Sequence, residues 1–135
     1  MRVTIVPAVS ASLLSTYYAL QVVRGASARY DLTLTAETGR PENLTGARVL
    51  LSVKLDVTDE NPRVRKDSNT LPSTITIVDA LGGVIRVEFV PADTHHLDPG
   101  LYRYDLWVIY QDGRRVPVIP DSTLEVLPSI TRTPL

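Results

Sequence analysis

The strongest fold signal in this chain is the stretch LDPGLYRYDLWVIY, residues 97–110. After Pro99-Gly100, large apolar or aromatic side chains return at every second position, and a period of two places them on one face of a β-strand. The residues of this row are Tyr102, Tyr104, Leu106, Val108 and Tyr110. We therefore predict a core strand here, with this row turned towards the hydrophobic core.

The turn in front of this strand has the chemistry of a braced corner. Pro99 fixes its own φ, and Gly100 tolerates a positive φ, so the pair favours a sharp change of direction. Tyr102 then supplies apolar area together with a hydroxyl that can bond the backbone. The combination predicts the tyrosine corner that leads into a core strand in many β-sandwiches.

The same period of two runs through most of the chain, and turn residues separate its segments. Clusters rich in Gly, Pro or Asp-Gly lie at Glu37–Asn43, Leu81–Gly83 and Gln111–Arg115. Short strands without intervening helices predict an all-β fold, namely an antiparallel Ig-like β-sandwich of about seven strands. The predicted strands cover residues 30–35, 49–57, 75–77, 85–89, 102–110, 116–118 and 124–126, with 18–25 as a further candidate.

Three parts follow along the chain: an N-terminal arm at residues 1–17, the sandwich at 18–128 and a C-terminal tail at 129–135. The arm is apolar and rich in Ser, and residues 10–20 are an ambiguous helix candidate. We expect the arm to lie outside the sandwich, where uncovered apolar residues would need a partner. Its candidate interface residues are Val3, Ile5, Val6, Leu13 and Leu14. The long segment 58–72 exceeds the usual hairpin length, so it is either mobile or a second contact element.

Trp107 and Ile109 are the other candidate interface residues. They alternate with the core row and so point away from it. An outward aromatic and aliphatic pair is typical of a partner interface. Alternatively, the N-terminal arm covers this face, and alternation alone does not separate the two interpretations.

Composition argues against several classes of partner. The 135 residues carry 14 Lys and Arg against 15 Asp and Glu, a net charge of −1, so there is no basic excess for nucleic acid. Because Cys is absent, the chain has neither disulfides nor a thiolate nucleophile. No apolar run reaches the roughly 18 residues of a membrane span, so we expect no membrane partner.

Adjacent His95 and His96, the only histidines, raise the question of a metal or catalytic site. Zinc needs three or four ligands, so Asp93 or Asp98 would have to join them, and a solvated loop explains the pair more simply. The oxygen-rich segment 56–61 lacks the pattern of a dedicated calcium loop. No nucleophile elbow or phosphate-binding glycine loop is present. We expect no catalytic residue, no metal and no cofactor.

The order of three segments, 30–54, 82–118 and 122–128, resembles a known family. It runs from a strand and turn through Asn-Leu-Thr-Gly-Ala, a Gly-led strand ending in Val-Pro, and Pro-Gly-x-Tyr to an Asp-Gly hairpin. This resembles the Ig-like N-terminal module of the upper baseplate protein family of tailed bacteriophages, over roughly residues 22–128. The resemblance implies a non-enzymatic virion protein that docks to other virion structural proteins at the baseplate, tail or capsid surface. It also implies a homo-oligomer or multi-copy assembly.

A second function remains open from the residues alone. A β-sandwich with aromatic side chains on its surface can bind carbohydrate or a cell surface by stacking sugar rings. Trp107, Tyr110 or tyrosines near strand ends are the candidate platforms for that role.

Overall fold

The computed structural model describes residues 2–8, 12–14, 18–70 and 73–130 of the chain. Nearly all regular structure in these residues is β, with one short helix. The strands are β1 (Arg2–Ala8), β2 (Ser12–Leu14), β3 (Ala19–Val23), β4 (Ala28–Thr35), β5 (Arg48–Lys54), β6 (Val64–Asp67), β7 (Ile75–Asp79), β8 (Val84–Phe89), β9 (Gly100–Ile109) and β10 (Arg115–Leu127), and the helix is α1 (Pro91–Thr94).

The strands form two sheets that pack face to face. A four-stranded sheet has the order β1-β4-β8-β7, and a six-stranded sheet has the order β2-β3-β10-β9-β5-β6. These orders contain the ABED and CFG sheets of an immunoglobulin sandwich, with β4 as strand B and β9 as strand F. The predicted all-β, Ig-like sandwich is confirmed. All strand pairs are antiparallel except β3–β10, which is parallel.

The core lies between the inner faces of the two sheets, and β9 supplies its predicted row. Its residues Tyr102, Tyr104, Leu106, Val108 and Tyr110 are all buried. From the opposite sheet, Tyr30 and Phe89 meet edge to face, with their ring centroids 6.4 Å apart. This geometry is favourable for two aromatic rings, and both are fully enclosed.

The N-terminal segment is not an arm outside the sandwich. Arg2–Ala8 forms β1, which pairs antiparallel with β4 and places Val3 opposite Leu34 and Ile5 opposite Leu32. Val3 and Ile5 are 7% and 8% exposed, so they belong to the core and do not offer a free surface to a partner. The prediction failed because it rested on the apolar, Ser-rich composition of this segment, whereas Pro7 is compatible with an edge strand.

Further segments also differ from the expected boundaries. Ser12–Leu14 is β2, which pairs antiparallel with β3. This part of the helix candidate at residues 10–20 is therefore a strand. Leu13 lies opposite Leu20 and Leu14 opposite Ala19. Segment 58–72 contains β6, which pairs with β5 and makes this part of the segment regular structure. Residues 131–135 of the expected tail lie outside the described residues, as do 9–11 and 15–17 of the expected arm.

Among the described residues, no helix has both the length and the apolar character needed to cross a membrane.

Candidate functional site

The predicted corner is present at the start of β9. The Tyr102 hydroxyl donates a hydrogen bond of 2.8 Å to the carbonyl oxygen of Asp98. Gly100 has a φ of 155°, a conformation that other residues rarely adopt. Burial is the main reason that the pKa of Tyr102 is raised. This corner fixes where β9 begins, and therefore which of its side chains face outward.

The two histidines lie beside this corner, on the surface. Their rings are 5.5 Å apart, and both residues are exposed. The carbonyl of His95 accepts a hydrogen bond of 2.9 Å from Nε of Arg24, which fixes the loop after α1. Within residues 2–8, 12–14, 18–70 and 73–130, no group of three or more His, Asp or Glu side chains could hold a metal ion.

Trp107 lies on the outer face of the six-stranded sheet, where it is half-buried. Its neighbours across the strands are Leu50 on β5 and Pro117 on β10, so an apolar row crosses this face. The indole N–H donates a hydrogen bond of 3.0 Å to Asp105, which holds the ring in place. We call Leu50, Trp107 and Pro117 the apolar row.

Charged side chains border the apolar row on one side. Ile109, also half-buried, lies opposite Arg48 on β5 and Arg115 on β10. Arg48 forms a two-pronged ion pair with Asp67 on β6, with Nε 2.9 Å from Oδ1. This pair lowers the pKa of Asp67 to about 2, chiefly through the hydrogen bonds from Arg48. An apolar centre with a charged border is the usual anatomy of a protein interface.

The N-terminal segment does not cover the described part of this face. β1 pairs with β4 at the edge of the four-stranded sheet, whereas Trp107 and Ile109 lie on the outside of the six-stranded sheet. Arg2–Ala8 therefore does not shield Trp107, whereas residues 9–11 and 15–17 of the expected arm lie outside the described residues.

A shallow polar cleft of about 280 Å³ opens beside the apolar row. It forms where β10 leaves regular register between Pro117 and Ser122, so that Pro120 and Asp121 are displaced from the ladder. Such bulges re-aim side chains and are frequent next to binding sites. Its lining side chains are Ser52, Lys54, Val57, Arg103, Tyr104, Asp105, Pro120 and Asp121. We call this the bulge cleft.

One ion pair fixes a wall of the bulge cleft. Arg103 binds Asp121 through two contacts, with Nε 3.0 Å from Oδ1. On the core-facing side of the same strand, the hydroxyl of Tyr104 donates to the carbonyl oxygen of Tyr18, and burial raises its pKa far above the ordinary value. The Tyr104 side chain therefore lies in the core behind the cleft. Sequence patterning missed this cleft because alternation does not reveal the register shift between β10 and β9, and Lys54 comes from the separate strand β5.

A buried lysine occupies the other end of the six-stranded sheet. Lys66 on β6 is 6% exposed, and its Nζ lies 2.8 Å from a carboxylate oxygen of Asp93. The same atom lies 5.4 Å from the ring centre of Phe89, which belongs to the opposite sheet. Lys66 is thus a link between the sheets, with an open cleft of about 510 Å³ beside it.

Tyr110 is not placed to stack on a sugar. It is 7% exposed, and the Arg114 guanidinium covers its ring at 4.5 Å from the centre. Of the two named platforms, Trp107 is the one that lies on the outer face of the six-stranded sheet.

No protein-family model matches the chain, and no curated protein sequence does. Among solved structures, it is similar to murine CRIg, with a TM-score of 0.44 and 12% sequence identity. The match covers 96% of this chain and 99% of that chain. The Ig-like assignment rests on the strand order of the two sheets, and this likeness says nothing about function.

Proposed function

We propose that this chain is a non-enzymatic structural protein of a tailed phage virion, which docks to neighbouring virion subunits through the outer face of its six-stranded sheet. The virion setting comes from the resemblance of the strand and turn order to the baseplate family. The observation that carries the docking role is the apolar row, because Trp107 lies between Leu50 and Pro117 on an outward face.

The chemistry of this face suits a protein partner. Tryptophan is enriched among the residues that dominate binding energy, and here its ring is held by the hydrogen bond to Asp105. A held side chain loses little conformational entropy when a partner covers it. The ion pair of Arg48 and Asp67 lies next to Leu50 and supplies a polar border. Of the predicted interface residues, Trp107 and Ile109 lie on this face, whereas Val3 and Ile5 belong to the core. The side chains of Val6, Leu13 and Leu14 lie outside what the structure describes.

Incorporation into particles tests this function. In a phage that carries the gene, we expect Trp107→Ala and Ile109→Arg each to reduce the amount of the chain in purified particles by about tenfold or more, as loss of a central interface residue does. Quantitative mass spectrometry of the particles measures it. Leu81→Ala is the matched control, since Leu81 is 72% exposed in the turn between β7 and β8.

Folding must be separated from docking in this experiment. Thermal unfolding of each purified variant reports whether the sandwich is intact, and the two variants change the face in different ways, one by removing area and one by adding charge. Normal incorporation of both folded variants would refute docking through this face.

Carbohydrate binding is the second candidate function, and the bulge cleft favours it. Polar and charged side chains line a depression of about 280 Å³ next to an outward tryptophan, as in many sugar sites.

A further inference from the structure

The bulge cleft contains an unusual pair of charges. Lys54 on β5 and Arg103 on β9 are direct cross-strand partners. Like charges at directly opposed positions destabilise a sheet. Positions that break such a rule without an evident structural gain are expected at functional sites. Both cations line the cleft, together with the carboxylates of Asp105 and Asp121.

Asp121 neutralises only one member of the pair. Both contacts of its carboxylate go to the guanidinium of Arg103. Among the residues that the structure describes, no carboxylate lies within ion-pair distance of Lys54 Nζ. Lys54 is half-buried at the wall of the cleft, so its ammonium group is the available anchor for an anion.

The rest of the lining selects among anions. Asp105 and Asp121 also face the cleft, and their carboxylates repel a ligand that carries only negative charge. A ligand with hydroxyl groups turns the same carboxylates into hydrogen-bond acceptors. One oxygen of Asp105 is engaged by Trp107, which orients the carboxylate. At the rim, Val57 is 60% exposed and offers an apolar contact for the C–H face of a ring.

We propose that the bulge cleft binds one monosaccharide unit bearing a carboxylate, that is, an acidic sugar. Lys54 pairs with the sugar carboxylate, Asp105 and Asp121 accept hydrogen bonds from its hydroxyl groups, and Val57 packs on the ring. The volume of about 280 Å³ suits a single sugar ring. This inference deepens the carbohydrate-binding candidate and does not depend on the virion role.

The test is a titration of the ¹⁵N-labelled full chain with D-glucuronate, followed by amide chemical shifts. We expect saturable shifts confined to residues around Lys54, Arg103 and Asp121, and binding about tenfold weaker for D-glucose, which lacks the carboxylate. Acetate, which lacks the hydroxyl groups, is expected to be weaker by a similar factor.

Variants assign the contact to Lys54. Lys54→Met is expected to weaken glucuronate binding about tenfold, and Lys54→Arg to retain it, because the charge is kept. Arg115→Met is the matched control, since it removes a cation from the same sheet next to Ile109. If folded Lys54→Met binds glucuronate as strongly as the unmodified chain, Lys54 is not the group that pairs with the sugar carboxylate.

The outcomes separate the inference from the broader candidate. Equal affinity for glucose and glucuronate overturns the acidic-sugar proposal but leaves carbohydrate binding in place. Equal affinity for acetate and glucuronate overturns the role of the hydroxyl groups. If none of the three probes gives localised shifts, both the acidic-sugar proposal and carbohydrate binding by this cleft are refuted.

Discussion

Tyr102 and Tyr110 belong to the same buried row, but their hydroxyl groups contribute differently to the stability of the fold. Tyr102 bonds the carbonyl oxygen of Asp98, whereas the buried Tyr110 hydroxyl has no hydrogen-bond partner among the described residues. On folding, the Tyr102 hydroxyl exchanges its hydrogen bond to water for one to the backbone, whereas the Tyr110 hydroxyl loses water without such a replacement.

Tyr102→Phe should therefore lower the free energy of unfolding by about 1 kcal/mol, because it leaves the Asp98 carbonyl without its donor. Tyr110→Phe, the matched control, should leave it unchanged or raise it. Urea unfolding measures both variants. Equal effects would mean that the corner hydrogen bond does not stabilise the fold.

Asp67 predicts a pH dependence. Its pKa is lowered from 3.8 to about 2 in the folded chain, so its pair with Arg48 stabilises the fold above about pH 4 and loses that effect as the pH falls towards 2. The contribution is about 1 kcal/mol, since the Arg48 side chain is 41% exposed and water screens the pair.

Asp67→Asn should consequently lose less stability than the unmodified chain between pH 5 and pH 2. Denaturant unfolding across this range measures the difference, with exposed Glu60→Gln as the control. Parallel pH profiles for Asp67→Asn and the unmodified chain would contradict the role of this pair.

Lys66 at the sheet-to-sheet link should be costly to remove. Lys66→Ala leaves the Asp93 carboxylate without its cation and opens space beside Phe89, so we expect a loss of about 3 kcal/mol in unfolding free energy. Arg65→Ala, on the exposed side of the same strand, should change it by less than about 0.5 kcal/mol. Chemical denaturation compares them, and a similar loss in both variants would argue against the link.

A strand was predictable from the sequence when the residues that define it are close together in the chain. The alternating row of β9 and the Pro99-Gly100 corner were readable because five side chains and one turn carry the signal. β1 was misjudged, since the Ser-rich composition of the segment outweighed the short alternation of Val3 and Ile5. β6 was missed because its inward position is held by Lys66, whose burial depends on Asp93 in a distant segment.

The bulge cleft was beyond the reach of sequence patterning for the same reason. Arg103 and Lys54 are outward positions on separate strands, and alternation predicts only that they face solvent. What brings Asp121 to Arg103 is the register shift in β10, which follows from how β9 and β10 align along their whole length.

The status of β1 as part of the sandwich has a direct consequence. Ile5→Ala should lower the free energy of unfolding by about 2 kcal/mol, because a buried side chain at a sheet edge is truncated. Thr4→Ala, its exposed neighbour, should change it by less than about 0.5 kcal/mol. Thermal or urea unfolding decides, and a neutral Ile5→Ala would mean that the segment behaves as a free arm.

At the scale of the whole molecule, the two sheets have different roles in this account. The four-stranded sheet closes the core, with β1 at its edge, whereas the six-stranded sheet carries both the apolar row and the bulge cleft on its outer face. A partner subunit seated on the apolar row and a sugar in the neighbouring cleft would both contact β9. The outer face of the six-stranded sheet is the proposed docking surface.

Photo-crosslinking in assembled particles tests docking through this face. A photoreactive phenylalanine analogue is placed at Trp107 and, in a separate chain, at Val78, which is 48% exposed on the four-stranded sheet. We expect crosslinks to a virion subunit from position 107 and none from position 78. Crosslinks from position 78 alone, or none from 107 in particles that contain the chain, would contradict it.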